Sequence, residues 1–131
     1  MVGITAFGAY IPRRRLQRKA IAQANAWFAP NLVGGARGER AMANWDEDAV
    51  TMAVEAARDC LPASDPAKDR GFVDAIYLAS TTLPFADRQN AGIVAAALGL
   101  AEGISSFDLA SSQRAGTSAM TVAIGGQADR D

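Results

Sequence analysis

The chemistry open to this chain is bounded first by what it lacks. Its 131 residues include no histidine and one cysteine, Cys60. The usual general base, the usual pH switch and the commonest zinc ligand are therefore missing. The residues that remain worth placing fall in two stretches. One is Ser111, Ser112, Gln113 and Arg114, which stand just before residues 115–124, a run without any charge. The start of a helix carries unpaired N–H groups and a partial positive charge, a setting that suits a nucleophile or a bound anion. The residue found there is Gln113, whose amide can donate and accept hydrogen bonds but cannot act as an activated nucleophile. The other stretch is Ser80, Thr81, Thr82, Leu83 and Pro84, which follows an apolar run at residues 73–79. Serine without a base is inert, so capping a helix start is the role expected of Ser111 and Ser112.

A third group is basic: Arg13, Arg14, Arg15, Arg18 and Lys19. Leu16, Ala20, Ile21 and Ala24 sit among them at helical spacing, so an amphipathic helix with a charged outer face is expected. A site for the phosphates of a ligand is the alternative, because several guanidinium groups near a glycine-rich loop can hold a pyrophosphate. Residues 29–38, APNLVGGARG, read as that loop but match neither the GxGxxG nor the GxxxxGK spacing. Trp27 and Phe28 before it are expected to be core or interface anchors.

These groups must be positioned by regular elements. Residues 2–11 read as a strand closed by Pro12. Asn44, with Glu47 three residues on, forms a capping-box pair that should open a helix. Ala49, Ala53, Ala56 and Cys60, with Val50, Val54, Ala57 and Leu61 one position later, give that helix a broad apolar face for a sheet. Cys60 at its end is expected to be a buried structural thiol, since a helix C-terminus opposes the charge of a thiolate. A polar connector, residues 63–71, leads to the strand at 73–79. Asp87 or Asn90 can cap the next helix, residues 91–98, and Gly99 can end it. A strand at 104–109 precedes the uncharged helix at 115–124, which Gly125 and Gly126 should close. A helix without a polar face should be buried on most sides, and Gly116 within it should mark a close approach. Strands alternating with helices indicate an α/β layered fold. Ligands of such sheets bind beyond the carboxyl ends of strands. If the strands at 73–79 and 104–109 are neighbours, the 80–84 and 110–113 loops face one pocket.

The chain is half hydrophobic and 21% charged, with a formal net charge of −1. That composition suits one globular domain. It argues against a nucleic-acid partner, which selects a basic face. No apolar run reaches the length of a membrane span, and no signal-peptide layout opens the chain. A lone cysteine fits a reducing compartment, so the expected location is cytoplasmic.

Four stretches carry a resemblance: GITAFGAYIPRRRL, GERAMANWDEDAVTMAVEAARDCL, IYLASTTLPFADRQNA and SSQRAGTSA. Together they resemble the hydroxymethylglutaryl-CoA synthases of the thiolase superfamily, relatives of the ketoacyl synthases, in register across the chain. The resemblance implies a thiolase-like layered αβαβα fold of two duplicated halves, of which this chain supplies the N-terminal part. It implies condensation of acetyl-CoA with acetoacetyl-CoA through an acyl-cysteine. A coenzyme A thioester is then the substrate, and no cofactor is bound covalently. The partner it implies is an acyl-CoA or acyl-carrier substrate, in a homodimer or a hetero-complex with another thiolase-like or OB-fold chain.

Carried over by position, the family's nucleophilic cysteine falls on Gln113 and its acid/base glutamate on Thr81. Ser112, Arg114, Gly116 and Thr82 fall on substrate-lining positions. Gln113 is either a retained pocket contact or a structural replacement, and Thr81 lines the pocket rather than catalysing. Arg114 either holds a substrate carboxylate or phosphate or pairs with an acidic neighbour. The family's histidine and asparagine fall beyond Asp131. Three readings stay open: the front part of a longer synthase-like protein, a divergent member such as a decarboxylase using Gln113 as an oxyanion-hole donor, or a catalytically silent scaffold subunit.

Overall fold

The computed structural model describes residues 3–61, 71–110 and 112–128. Ser111 and almost all of the expected 63–71 connector lie outside the described residues. The chain forms two compact units: residues 11–47, and the residues up to Tyr10 together with those from Asp48 onward.

In the smaller unit, β1 (Arg14–Gln17) pairs antiparallel with β2 (Glu39–Met42), from Arg14 opposite Met42 to Gln17 opposite Glu39. The helix expected across the basic segment is thus corrected. Its first part is a strand, and α1 (Arg18–Ala24) begins only after it. The ladder to a segment some twenty residues away satisfies the backbone of β1, and such tertiary pairing overrides a weak helical pattern. Gln17 Nε2 donates to Glu39 Oε1 at 2.6 Å, and the Arg18 N–H to the Gly38 carbonyl at 2.9 Å. Gly38, at φ 73°, makes the left-handed turn into β2. The loop expected at 29–38 contains one helical turn, α2 (Leu32–Gly35). Trp27 and Phe28 meet in a tilted ring contact but stay exposed, so they are not core anchors of this unit.

In the larger unit the strand expected at 2–11 is not found: its described residues join no ladder. What holds them instead is α3 (Ala49–Cys60). The Ala9 N–H donates to Asp59 Oδ2 at 2.9 Å. Gly8 lies so close that an added Cβ would stand 2.6 Å from the Ala56 carbonyl oxygen and 2.7 Å from Cys60 Cα. The start of α3 is also corrected. Asn44 N–H does donate to Glu47 Oε2 at 2.7 Å, but that pair closes a turn. The helix begins after Asp48, whose extended backbone lets Oδ1 accept from Thr51 N–H while Asp48 N–H donates to Thr51 Oγ1, both at 2.8 Å. Asn44 and Asp48 each have a partner three residues on, Glu47 and Thr51, and the reciprocal pair at Asp48 starts the helix.

Val50 and Val54 of α3 enter the core with Leu78, Ala91, Val94 and Leu98, as the apolar face requires. Cys60 is half-buried and free. Strand β3 (Ala75–Ala79) runs parallel to β4 (Ser105–Leu109), Ala75 opposite Ser105 and Ala79 opposite Leu109. Between them α4 (Asn90–Ala97) ends at Gly99, φ 66°, as expected. Strand side chains alternate between faces. Ile76 and Leu78 join the core, whereas Tyr77 and Phe107 stack at 5.0 Å and border a groove with Val122 of α5 (Ala115–Ala128).

Helix α5 corrects three expectations. It is not buried on most sides: Ala115 and Ala119 are buried, but Met120, Val122 and Ile124 are 53%, 51% and 48% exposed. One sheet covers one face of the helix, and no second layer among the described residues covers the others. Gly125 and Gly126 do not end it, because a glycine with ordinary helical φ costs only about 1 kcal/mol. Gly116 marks no close approach, since a Cβ there would meet nothing within 4 Å.

The contact at Gly8 generates a direct prediction. Gly8→Ala should destabilise the protein by about 1–3 kcal/mol through overpacking against α3, read as a lower denaturant midpoint. Gly116→Ala, with open space around it, should not lower it.

Candidate functional site

Parallel pairing of β3 and β4 brings their carboxyl ends to the same edge, so the two loops expected to face one pocket leave side by side. The pairing extends one step past the strands: Ser80 N–H donates to the Leu109 carbonyl at 3.1 Å. Beyond it Ser80 Oγ accepts from Thr82 N–H at 3.1 Å, and the two hydroxyls lie 3.2 Å apart. This turn leaves Thr81 and Thr82 exposed at the mouth.

On the other side the chain leaves β4 and turns into α5. Ser112 Oγ accepts from Arg114 N–H at 3.1 Å, and its carbonyl accepts from Ala115 N–H at 3.0 Å. The capping role expected of Ser112 is thereby observed, one turn ahead of the helix. Gln113 and Arg114 are exposed at the helix start, and the Arg114 guanidinium has no ion-pair partner among the described residues. The structure thus gathers Thr81, Thr82, Ser112, Gln113 and Arg114 at one end of the sheet. Gly116 lies one turn up α5.

The start of α4 shows a device the sequence reading missed. Neither Asp87 nor the Asn90 side chain caps this helix. The cap position is Gln89, which makes no capping bond. Asp108 of β4 closes the helix instead: Oδ2 accepts from Asn90 N–H and Oδ1 from Ala91 N–H, both at 2.7 Å. The Asn90 side chain, 1% exposed, donates to Asp108 Oδ2 at 2.9 Å and to the Phe85 carbonyl at 2.8 Å, and its Oδ1 accepts from Phe85 N–H at 3.1 Å. Ser106 of β4 also bonds Gln89, Oγ to Oε1 at 2.6 Å. Burial pushes the Asp108 carboxyl up, but the bonds from the Asn90 side chain and the Asn90 and Ala91 N–H groups outweigh it and hold the group below the ordinary aspartate range. The one signal in the sequence was an acid between two apolar residues of the strand, FDL.

In the smaller unit, Arg18, Ile21, Ala22, Asn31, Leu32, Gly35, Ala36 and Arg40 line a cleft of ≈ 430 Å³. Arg18 is the one member of the basic run that lines it; Arg13, Arg14, Arg15 and Lys19 do not. Two guanidinium groups beside apolar walls suit an anion carrying an apolar portion. Among the described residues no cluster of acids or cysteine could hold a metal, and no helix is long and apolar enough to cross a membrane.

Comparison with known proteins gives a consistent family. No protein-family model matches the chain. The chain is 36% identical over 126 residues to a hydroxymethylglutaryl-CoA synthase of Methanocella arvoryzae, covering 95% of this chain and 35% of that protein. It is 34% identical over 126 residues to the hydroxymethylglutaryl-CoA synthase of Pyrococcus furiosus, covering 95% and 33%. Among solved structures it superposes on MvaS in complex with 3-hydroxy-3-methylglutaryl coenzyme A at a TM-score of 0.72 and 25% identity, covering 98% of this chain and 30% of that one. A β-ketoacyl-[acyl carrier protein] synthase III of Thermus thermophilus matches at a TM-score of 0.68 and 27% identity, over 96% and 40%. The fold is therefore thiolase-like, and the chain spans about a third of the length of the curated relatives it matches.

Asp108 generates a pH prediction. Its folded-state pKa is depressed, so its contribution to stability is complete above the unfolded value of about 3.9 and is lost as pH falls through the lower folded value. Asp108→Asn should cost about 1–2 kcal/mol at pH 7, the scale of a lost helix cap. The gap from the parent should shrink as the pH is lowered below about 3.9 in denaturation curves.

Proposed function

We propose, from the premise that this chain belongs to the hydroxymethylglutaryl-CoA synthase family and corresponds to an N-terminal part of it, that the full protein binds an acyl thioester at the carboxyl ends of β3 and β4. There it makes or breaks a carbon–carbon bond next to the thioester, as a condensing acyltransferase whose own N-terminal part carries no nucleophile. The observation that carries this reading is the meeting of two loops at one sheet edge, with Gln113 at the start of α5 and Thr81 on the neighbouring loop.

The residues decide what this part of the site can do. An acyl-cysteine cannot form at Gln113, because an amide nitrogen is neither a thiolate nor readily deprotonated. Thr81 cannot exchange a proton near neutral pH as a carboxylate does. What remains is electrostatic. The Gln113 side chain supplies two N–H donors at a helix start that carries unpaired N–H groups of its own. Such donors hold a thioester carbonyl and stabilise the enolate that develops when a bond beside it breaks or forms. That is the chemistry of a decarboxylase-like variant within the condensing family. Arg18 and Arg40 in the cleft of the smaller unit suit, taken by that unit alone, a phosphate-bearing anion. The thioester is substrate, not a resident cofactor, and is carried by coenzyme A or by a carrier protein. The lone Cys60 fits work in the cytoplasm.

A second reading, a catalytically silent scaffold within a complex of thiolase-like or OB-fold chains, is favoured by the exposed Met120, Val122 and Ile124. An apolar face of that kind calls for a covering surface, whether from more of the same chain, a second copy or another subunit.

The two readings part on one substitution. In the full-length protein Gln113→Ala should lower turnover on an acyl thioester by roughly 10²-fold or more, the scale of a lost oxyanion-hole donor, with the thermal midpoint unchanged. Full turnover of the variant in its assembled complex would establish the scaffold reading instead. Gln113→Cys combined with Thr81→Glu should become acylated by acetyl-CoA, seen as the mass gain of one acetyl group. A double variant that folds yet never gains that mass would mean the acyl pocket is absent.

A further inference from the structure

The polar network at the start of α4 does more than cap a helix. Its buried member, Asn90, faces two ways. Toward β4 it bonds Asp108. Toward the preceding loop it takes both backbone groups of Phe85, donating to the carbonyl at 2.8 Å and accepting from the N–H at 3.1 Å. The Arg88 guanidinium lies 5.2 Å over the Phe85 ring and closes the outer side. Phe85 directly follows Ser80–Pro84, the stretch that presents Thr81 and Thr82. At its other end that stretch is held by the Ser80 N–H bond to Leu109. Leu109 is the next residue after Asp108, on the strand that leads into Ser112, Gln113 and α5. Both ends of the Thr81–Thr82 loop are therefore fastened to two consecutive residues of β4.

We propose that Asp108, acting through Asn90 and Phe85, is the positioning device of the candidate site: it fixes where the Thr81–Thr82 loop stands relative to the β4–α5 turn, and so sets acyl-thioester affinity without touching the ligand. The part about affinity rests on the acyl-thioester reading above; the part about loop position does not. Asn90 and Asp108 separate the positioning role from simple helix capping. The backbone N–H groups of residues 90 and 91 bond Asp108 directly, so Asn90→Ala keeps both backbone cap bonds of α4 and removes the side-chain ties to Phe85, Arg88 and Asp108. A buried amide whose two N–H groups and carbonyl oxygen are all bonded is a costly choice for a helix start, where a smaller residue would serve. Fixing a loop is what the extra bonds add. Ser106→Ala is the control, because it removes a bond to Gln89 on the same helix start and touches neither Phe85 nor Asn90.

The test is hydrogen exchange of the full-length protein, read at the amides of Ser80 and Thr82, with those of α3 as reference. Asn90→Ala should speed exchange at both loop amides by roughly tenfold, the scale of one net hydrogen bond, while Val54 in α3 keeps its protection and Ser106→Ala leaves the loop unchanged. The affinity for acetyl-CoA, titrated calorimetrically, should fall at least fivefold in Asn90→Ala and stay unchanged in Ser106→Ala. Unchanged exchange at Ser80 and Thr82, or an equal rise throughout α3, would overturn the proposal. If the parent protein does not bind acetyl-CoA, the acyl-thioester reading fails, and the exchange pattern alone still decides the positioning role. Should Asn90→Ala not fold, Asn90→Ser keeps both backbone cap bonds and a small polar group, is too short to span both backbone groups of Phe85, and carries the same comparison.

Discussion

The larger unit depends on a carboxylate that sits on one element and completes another. Asp108 belongs to β4 yet supplies the cap that α4 lacks, so the helix, its preceding loop and the second strand are fixed together. The physics favours this arrangement. A helix start leaves N–H groups unpaired and partly positive, and an ionised carboxylate beside them makes charge-assisted bonds stronger than those of a neutral cap. The same bonds keep Asp108 ionised against the cost of its burial. What the cap secures is the mouth at the carboxyl ends of β3 and β4, where the exposed Thr81, Thr82, Ser112, Gln113 and Arg114 are found.

On the reading proposed above, the mouth keeps a site's position while its chemistry changes. The turn after β4 still aims a helix start at the loop after β3, which is where the resemblance places a cysteine and a glutamate. Gln113 and Thr81 occupy those positions with hydrogen-bonding groups in place of a nucleophile and a titrating acid. An arrangement of donors around a carbonyl survives such replacement, whereas covalent catalysis does not. The apolar flank of α5, with Met120, Val122 and Ile124 exposed, meets no second layer among the described residues.

Much of the larger unit was legible from residue pattern. The apolar runs around β3 and β4, the small-residue helix between them and the left-handed Gly99 each carry a local signal. The antiparallel β1–β2 pairing was not legible, because Arg14–Gln17 has no alternation and its strand character depends on Glu39–Met42 far along the chain. The start of α3 slipped by a few residues because Asn44–Glu47 and Asp48–Thr51 both satisfy a capping spacing, and only the backbone conformation of Asp48 decides between them. Asp108 was missed for the same reason in stronger form: its partners lie seventeen and eighteen residues away. Of the candidate site, the two loops and their shared edge followed from the parallel-sheet rule. The positions of Gln113 and Thr81 came from the resemblance alone.

The central claim is that Gln113 holds a thioester carbonyl at the mouth of β3 and β4. The most direct measurement is a crystal structure of the full-length protein with a non-cleavable acetyl-CoA analogue. The account predicts the carbonyl oxygen of the acyl group within hydrogen-bonding distance of the Gln113 amide, beside the Thr81–Thr82 loop. An analogue ordered elsewhere, with Gln113 turned into protein contacts and the mouth filled by side chains, would contradict it.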